Sequence, residues 1–140
     1  MKKPVLFTGD PISREVSPLR YNRKDSFRFT FKTPLKAAFS IYELNGKEVH
    51  SHAGTALMHD LSPSGTKIST NLNLPVDKNS DYPVKIHLQF MLNQSVYEIK
   101  AEIIWKKIYF DDYFYGVHFY AGDDIKEEII QQLKVYVKQV

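Results

Sequence analysis

Cysteine is absent from the 140-residue chain, so disulfides and thiolate chemistry are excluded and nothing points to an oxidising compartment. Long hydrophobic runs are missing as well. The apolar stretch near the start, Val5-Leu6-Phe7, is three residues long. A secretory signal needs a longer run, and a membrane span needs about 20 residues. The expectation is a cytoplasmic protein with no membrane span. No glycine-rich phosphate loop and no nucleophilic serine motif occurs, and no constellation of acid, base and nucleophile argues for an enzyme. Metal ligands are sparse. His50 and His52 suit one face of a strand and His59 lies near them, but no cysteine or acid completes a set of three or four. These histidines are expected to be exposed strand residues, and neither a metal nor a cofactor is expected.

What the chain holds in quantity is aromatic residues. Nine Phe, nine Tyr and one Trp make up 14% of it. Such side chains fill the pleated surface of strands, which favours a β-rich domain. An apolar fraction of 43% and a charged fraction of 25% are ordinary for a soluble globular protein, and 140 residues is about one domain. The net charge of +3 is small, so where the positive charge sits matters more than its total.

Residues 1–19 carry Pro4, Pro11 and Pro18 and the turn-like Gly9-Asp10-Pro11, a spacing that suits an extended arm or linker, or an added strand at Val5 to Thr8, rather than a helix. Residues 20–140 then read as one domain. Phe27, Phe29 and Phe31 alternate with Arg28, Thr30 and Lys32, the period of a half-buried strand, which puts Arg28 on the face opposite the phenylalanines. Strand character continues from Ala37 to Leu44 and stops at Asn45-Gly46, the preferred pair for a two-residue hairpin turn. A return strand is expected from about His50 to His59, and a short one over Thr66 to Thr70. Alternation in Val84 to Leu92, in Tyr97 to Trp105 and in Phe114 to Tyr120 predicts three more, with Asp111-Asp112 as the turn before the last. In the strand of Tyr97, Ile99, Ala101 and Ile103, Trp105 is expected to face the core. Roughly six strands on short turns imply an all-β antiparallel barrel or sandwich. The tail differs: Ile125, Ile129, Leu133, Tyr136 and Val140 fall at helical spacing, with Asp124 and Glu127 placed as a capping box and Lys134 and Lys138 near the negative end. One C-terminal helix is predicted.

Two local features carry chemistry. Arg20, Arg23, Lys24 and Arg28 bring four positive charges into nine residues against a single acid, Asp25. Charge runs are usually solvated surface, yet this density suits an anionic partner. The second feature is Asp60-Leu61-Ser62-Pro63-Ser64-Gly65. Asp and Ser side chains accept backbone N–H bonds in turns, Pro63 pre-sets φ and Gly65 permits a left-handed conformation, so a tight turn alone would explain it.

Together the two features resemble the PilZ family, whose members carry an R-x-x-x-R motif before the first strand and [D/N]-x-S-x-x-G after the second. Here these are Asn22-Arg23-Lys24-Asp25-Ser26-Phe27-Arg28-Phe29 and Asp60-Leu61-Ser62-Pro63-Ser64-Gly65. Tyr115-Gly116-Val117-His118-Phe119 is similar to the end of the family's last barrel strand. The resemblance spans roughly residues 20–140 and implies a six-stranded antiparallel PilZ-type split β-barrel with a C-terminal α-helix. It also implies a receptor for the bacterial second messenger cyclic di-GMP, bound by Arg23, Lys24, Arg28, Asp60, Ser62 and Gly65, with the basic arm ordering around the ligand and signalling to a protein partner in flagellar, secretory or polysaccharide machinery. In one respect the motif departs from the pattern: it reads Lys24-x-x-x-Arg28, with Arg23 one position early, and lysine lacks the planar fork of arginine. The alternative implied by that departure is a degenerate PilZ-like module that binds proteins and no nucleotide. A basic arm with many aromatics also fits a nucleic-acid-binding barrel, but the paired motifs favour cyclic di-GMP, and no DNA or RNA partner is expected.

Overall fold

A computed structural model describes residues 27–139. The arm over 1–19 with its candidate strand at Val5 to Thr8, the cations Arg20, Arg23 and Lys24, and the helix-stripe residue Val140 lie outside the described residues. Seven strands and one helix follow in order: β1 (Phe29–Leu44), β2 (Lys47–Glu48), β3 (Gly54–Ser62), β4 (Gly65–Thr70), β5 (Lys85–Leu92), β6 (Ser95–Tyr109), β7 (Asp112–Phe119) and α1 (Asp123–Gln139). All pairings are antiparallel, in the order β2-β1-β3-β4-β7-β6-β5. A further pairing of β1 with β5 joins the two ends, so six strands close into a barrel-like ring with the two-residue β2 hanging from β1. The six expected strands and the helix are all present.

The alternation in the sequence decides which way each strand faces. Ile86, Leu88, Phe90 and Leu92 of β5, and Tyr97, Ile99, Ala101 and Ile103 of β6, fill the ring together with Met58, Leu61, Ile68, Tyr115, Val117 and Phe119, all buried. The expectation for Trp105 is overturned. It is 41% exposed, because the register between β6 and β7 slips between Ile103, opposite Val117, and Trp105, opposite Gly116. A bulge adds one residue and turns the next side chain to the other face. The indole therefore lies outside the ring on Gly116, where any Cβ would overlap Trp105 Nε1.

Turns follow their residue chemistry except at Gln94 and Phe110, which hold positive φ where glycine or asparagine is preferred. Asn45-Gly46 and Asn93-Gln94 have positive φ at both positions, as a two-residue hairpin of the primed type requires. The β6–β7 turn is Phe110-Asp111, one residue earlier than expected, and Phe110 sits at φ 57°. An aromatic residue there strains the backbone by about 1–2 kcal/mol, since its Cβ crowds the following carbonyl. His50 and His52 lie on an exposed connection before β3, not on the strand as expected.

Helix α1 begins one residue ahead of the expected capping box. The Gly122 carbonyl accepts the first turn's bond from Lys126 N–H at 3.1 Å, which makes Gly122 the cap and puts Asp123 and Asp124 inside the first turn, where the helix dipole favours acids. Ile129 and Leu133 are buried, Tyr136 packs edge-on against Phe29 and Phe31, and Ile125 remains 37% exposed. Tyr97 donates to Glu128 and Asn93 donates to the Gln132 carbonyl, which ties the helix to the β5–β6 hairpin. No described helix is long and apolar enough to cross a membrane.

Candidate ligand-binding site

Strand β3 would point Asp60 into the core if its alternation held, since Ala56 and Met58 both face inward. It does not hold. Met58 pairs with Ile68 and Asp60 pairs with Lys67, so His59 is an extra residue in the strand. That bulge sends Asp60 to the outer face, while Leu61 resumes the inward set at 0% exposure. On β1, Thr30 lies directly opposite Asp60, and Arg28 precedes it on the same outward face.

The result is a compact polar cluster. Arg28 Nη1 donates to Asp60 Oδ1 at 2.8 Å and Arg28 Nη2 to Ser62 Oγ at 3.3 Å. The same Asp60 oxygen accepts the backbone N–H of Lys67 at 2.8 Å, and Thr66 Oγ1 donates to the Asp60 carbonyl. The Asp60 side chain is 13% exposed, whereas that of Arg28 is 48% exposed, so the carboxylate is held in place and the guanidinium faces solvent. In that setting the ion pair adds at most about 1 kcal/mol to stability. Its effect is to orient the guanidinium plane.

Ser62 and Gly65 shape the loop beneath. Ser62 is fully buried, and its hydroxyl accepts from Gly65 N–H at 3.1 Å and donates to the Gly65 carbonyl at 3.2 Å, across the two-residue turn Pro63-Ser64. The left-handed conformation expected of Gly65 is not present; among the described residues only Gly46 is a glycine with positive φ. Gly65 is required for space instead, because a Cβ there would overlap the backbone oxygen of Val117 on β7.

Of the six predicted site residues, Arg28, Asp60, Ser62 and Gly65 converge in this cluster; Arg23 and Lys24 lie outside the described residues. Residues not singled out from the sequence also contribute. Lys67 supplies the N–H that fixes Asp60, and across the ring Lys67, Gly116 and Trp105 form one row on β4, β7 and β6. That row depends on two bulges, which no local motif announces. Next to it, His59 Nε2 lies 2.7 Å from Ser69 Oγ and its ring tilts against Phe114. Burial, with the nearby Lys67 charge adding to it, holds the His59 imidazole below its usual range. No group of three or more histidine, acid or cysteine side chains able to hold a metal occurs among the described residues.

The sequence matches the PilZ domain family over residues 22–137. The chain belongs to the PilZ family. Among solved structures, the fold is similar to that of the PilZ domain of CeSA from a cellulose-synthesizing bacterium, with a TM-score of 0.52 and 14% identity over 80% of this chain and 98% of that one. At that identity the likeness concerns the fold. No curated protein matches the sequence. PilZ membership agrees with the ring of strands and the C-terminal helix.

Proposed function

We propose that this PilZ domain is a receptor for cyclic di-GMP, with the ligand seated on the outer face over Arg28, Asp60 and the Ser62–Gly65 loop. The observation that carries the reading is the half-exposed Arg28 guanidinium, oriented by Asp60 and Ser62 on the side of the ring that the second motif builds. A guanidinium in that state can grip the O6 and N7 edge of a guanine or a phosphate, or stack on a base. Asp60 accepts from guanine N–H groups, as a carboxylate can through several lone pairs. Ser62 contributes by holding Arg28 and the turn in place, and Gly65 by letting β4 lie close to β7. Arg23 and Lys24 supply the remaining positive charge from the preceding segment, whose ordering around the ligand changes the surface offered to a protein partner. PilZ domains are in general receptor modules, and no catalytic role is assigned to any residue.

Amide NMR on the full chain tests the site. Adding cyclic di-GMP should shift the Gly65 and Lys67 amides strongly and leave those of the distant Phe110 turn in place. A pattern without Gly65 and Lys67 would overturn the assignment. One observation favours a second reading, a protein-binding module without nucleotide: lysine stands at position 24, where the family pattern has arginine. On that reading a protein partner is retained equally with and without cyclic di-GMP, and Lys24→Arg creates binding that the native chain lacks. On the receptor reading Lys24→Arg only tightens it.

A further inference from the structure

One residue of β3 has no partner on either side. From Met58 to Asp60 the register with β4 advances by one residue, from Ile68 to Lys67, and the register with β1 jumps from Leu35 to Thr30, so His59 is skipped in both. Its imidazole bonds Ser69, with Nε2 and Oγ 2.7 Å apart, and lies 5.2 Å from the ring of Phe114. Ile68 and Tyr115, the chain neighbours of those two, are fully buried inside the barrel-like ring, which puts Ser69, Phe114 and His59 on the outer face. That is the face of Asp60 and Arg28. Contacts with two other strands therefore hold an imidazole one residue from the carboxylate of the polar cluster.

The two ring nitrogens differ in what they have left to bond. Nε2 is engaged by Ser69. Nδ1 has no hydrogen-bond partner among the described residues, and it is not sealed in the interior, since the buried side-chain atom without a partner there is Asn93 Oδ1. A serine hydroxyl both donates and accepts, so the pairing survives a change of protonation. When Ser69 donates to Nε2, the neutral ring keeps its proton on Nδ1. When the ring is charged, Ser69 accepts from Nε2–H and Nδ1 is again protonated. Nδ1–H is thus a spare donor in both states. The charges around it are Lys67 on β4, Asp60 on β3 and Asp112 on β7, while β1 brings Arg28, bonded to Asp60, and the exposed Lys32 and Lys36. Cations outnumber acids in this set, so an anionic oxygen suits the donor better than a base carbonyl does.

We propose that His59 is a further ligand contact, donating from Nδ1 to a phosphate oxygen of the cyclic dinucleotide and tying its binding to pH. The proposal rests on the receptor reading above. The free protein prefers the neutral ring, whereas a bound phosphate favours the charged one. Binding then takes up a proton, and affinity rises as pH falls toward the free protein's value, which lies below about 6.5. Calorimetric titration of cyclic di-GMP into the full chain at about pH 8 and about pH 5.5 tests this, a window in which histidine is the side chain that ordinarily changes charge. The native chain should bind about 5-fold or more tighter at the acidic end, the low side of typical coupling between two sites. His59→Gln keeps a neutral donor, so it should match the native chain at the alkaline end and lose the pH dependence. His59→Phe keeps a ring on Phe114 and should bind about 5-fold more weakly at the alkaline end, the loss of one neutral hydrogen bond. His118, opposite Gly65 on β7, is a second imidazole beside the loop, and His118→Gln should leave the pH profile intact. In the native chain, nitrogen NMR of the imidazoles should show the His59 Nδ1 resonance move when ligand is added, a readout independent of how the variants fold. Equal affinity at both pH values, a profile that follows His118, or an unmoved Nδ1 resonance would overturn the proposal and leave the receptor reading standing. No binding at either pH would overturn both.

Discussion

Replacing Asp60 separates the structural duty of the polar cluster from its binding duty. In Asp60→Ala the Lys67 N–H loses its acceptor, and Arg28 loses the partner that orients it. A part-buried amide left without a partner costs about 1–3 kcal/mol. The ion pair adds at most about 1 kcal/mol, since the Arg28 side chain is 48% exposed. The sum is about 1–4 kcal/mol. Asp60→Asn keeps an oxygen for Lys67 N–H and forfeits only the charge, so its loss should be about 1 kcal/mol or less. Urea unfolding reads this directly as a lower midpoint at unchanged slope, ordered native, Asn, then Ala. Equal midpoints for Asn and Ala, or an Ala variant as stable as the native chain, would refute the claim that Asp60 fixes the β3–β4 junction through Lys67.

Further expectations follow from the same contacts. Gly65→Ala should destabilise by about 1–3 kcal/mol in thermal melts, because the new methyl group overlaps the Val117 carbonyl across β4 and β7. Leu133→Ala empties a fully buried site beneath the helix and should cost about 2–5 kcal/mol in urea unfolding. Trp105 is the single tryptophan and lies outside the ring, so its fluorescence should be quenched readily by acrylamide; a shielded signal would contradict the β6 bulge. The lowered His59 value means that the folded protein prefers the neutral ring. The stability it contributes is present above the unfolded histidine value of about 6.5 and is lost as pH falls below it through the folded value. His59→Gln should flatten the pH dependence of the urea midpoint in that acidic window, and an unchanged profile would count against it.

Periodicity made most of the fold legible. The alternations in Ile86–Leu92 and Tyr97–Ile103 and the Asn45-Gly46 turn have local causes, so they appear in the structure as they read in the chain. The second motif was legible as a junction between two strands, but the loop expected there shrinks to Pro63-Ser64, with Asp60 to Ser62 in β3 and Gly65 in β4. What local pattern could not show was the two bulges. One at His59 turns Asp60 outward to meet Arg28, and the other, after Ile103, carries Trp105 out of the core. Both arise from pairing with distant strands, and a slip of one residue exchanges inside for outside. The Phe110 turn was placed one residue late because an aromatic at positive φ runs against turn preference, whereas the adjoining aspartates follow it. Gly65 does need to be glycine, but for the crowding by Val117 and not for the left-handed φ that its place in a turn suggested.

The receptor claim turns on Arg28, and a calorimetric titration of cyclic di-GMP into the full chain, native and Arg28→Ala, tests it most directly. The account predicts saturable heat from the native protein at micromolar ligand. It predicts binding weaker by about 10- to 100-fold in the variant, the loss of a charge-assisted contact worth about 1.5–3 kcal/mol. No heat from the native chain, or equal affinity in the two proteins, would contradict it.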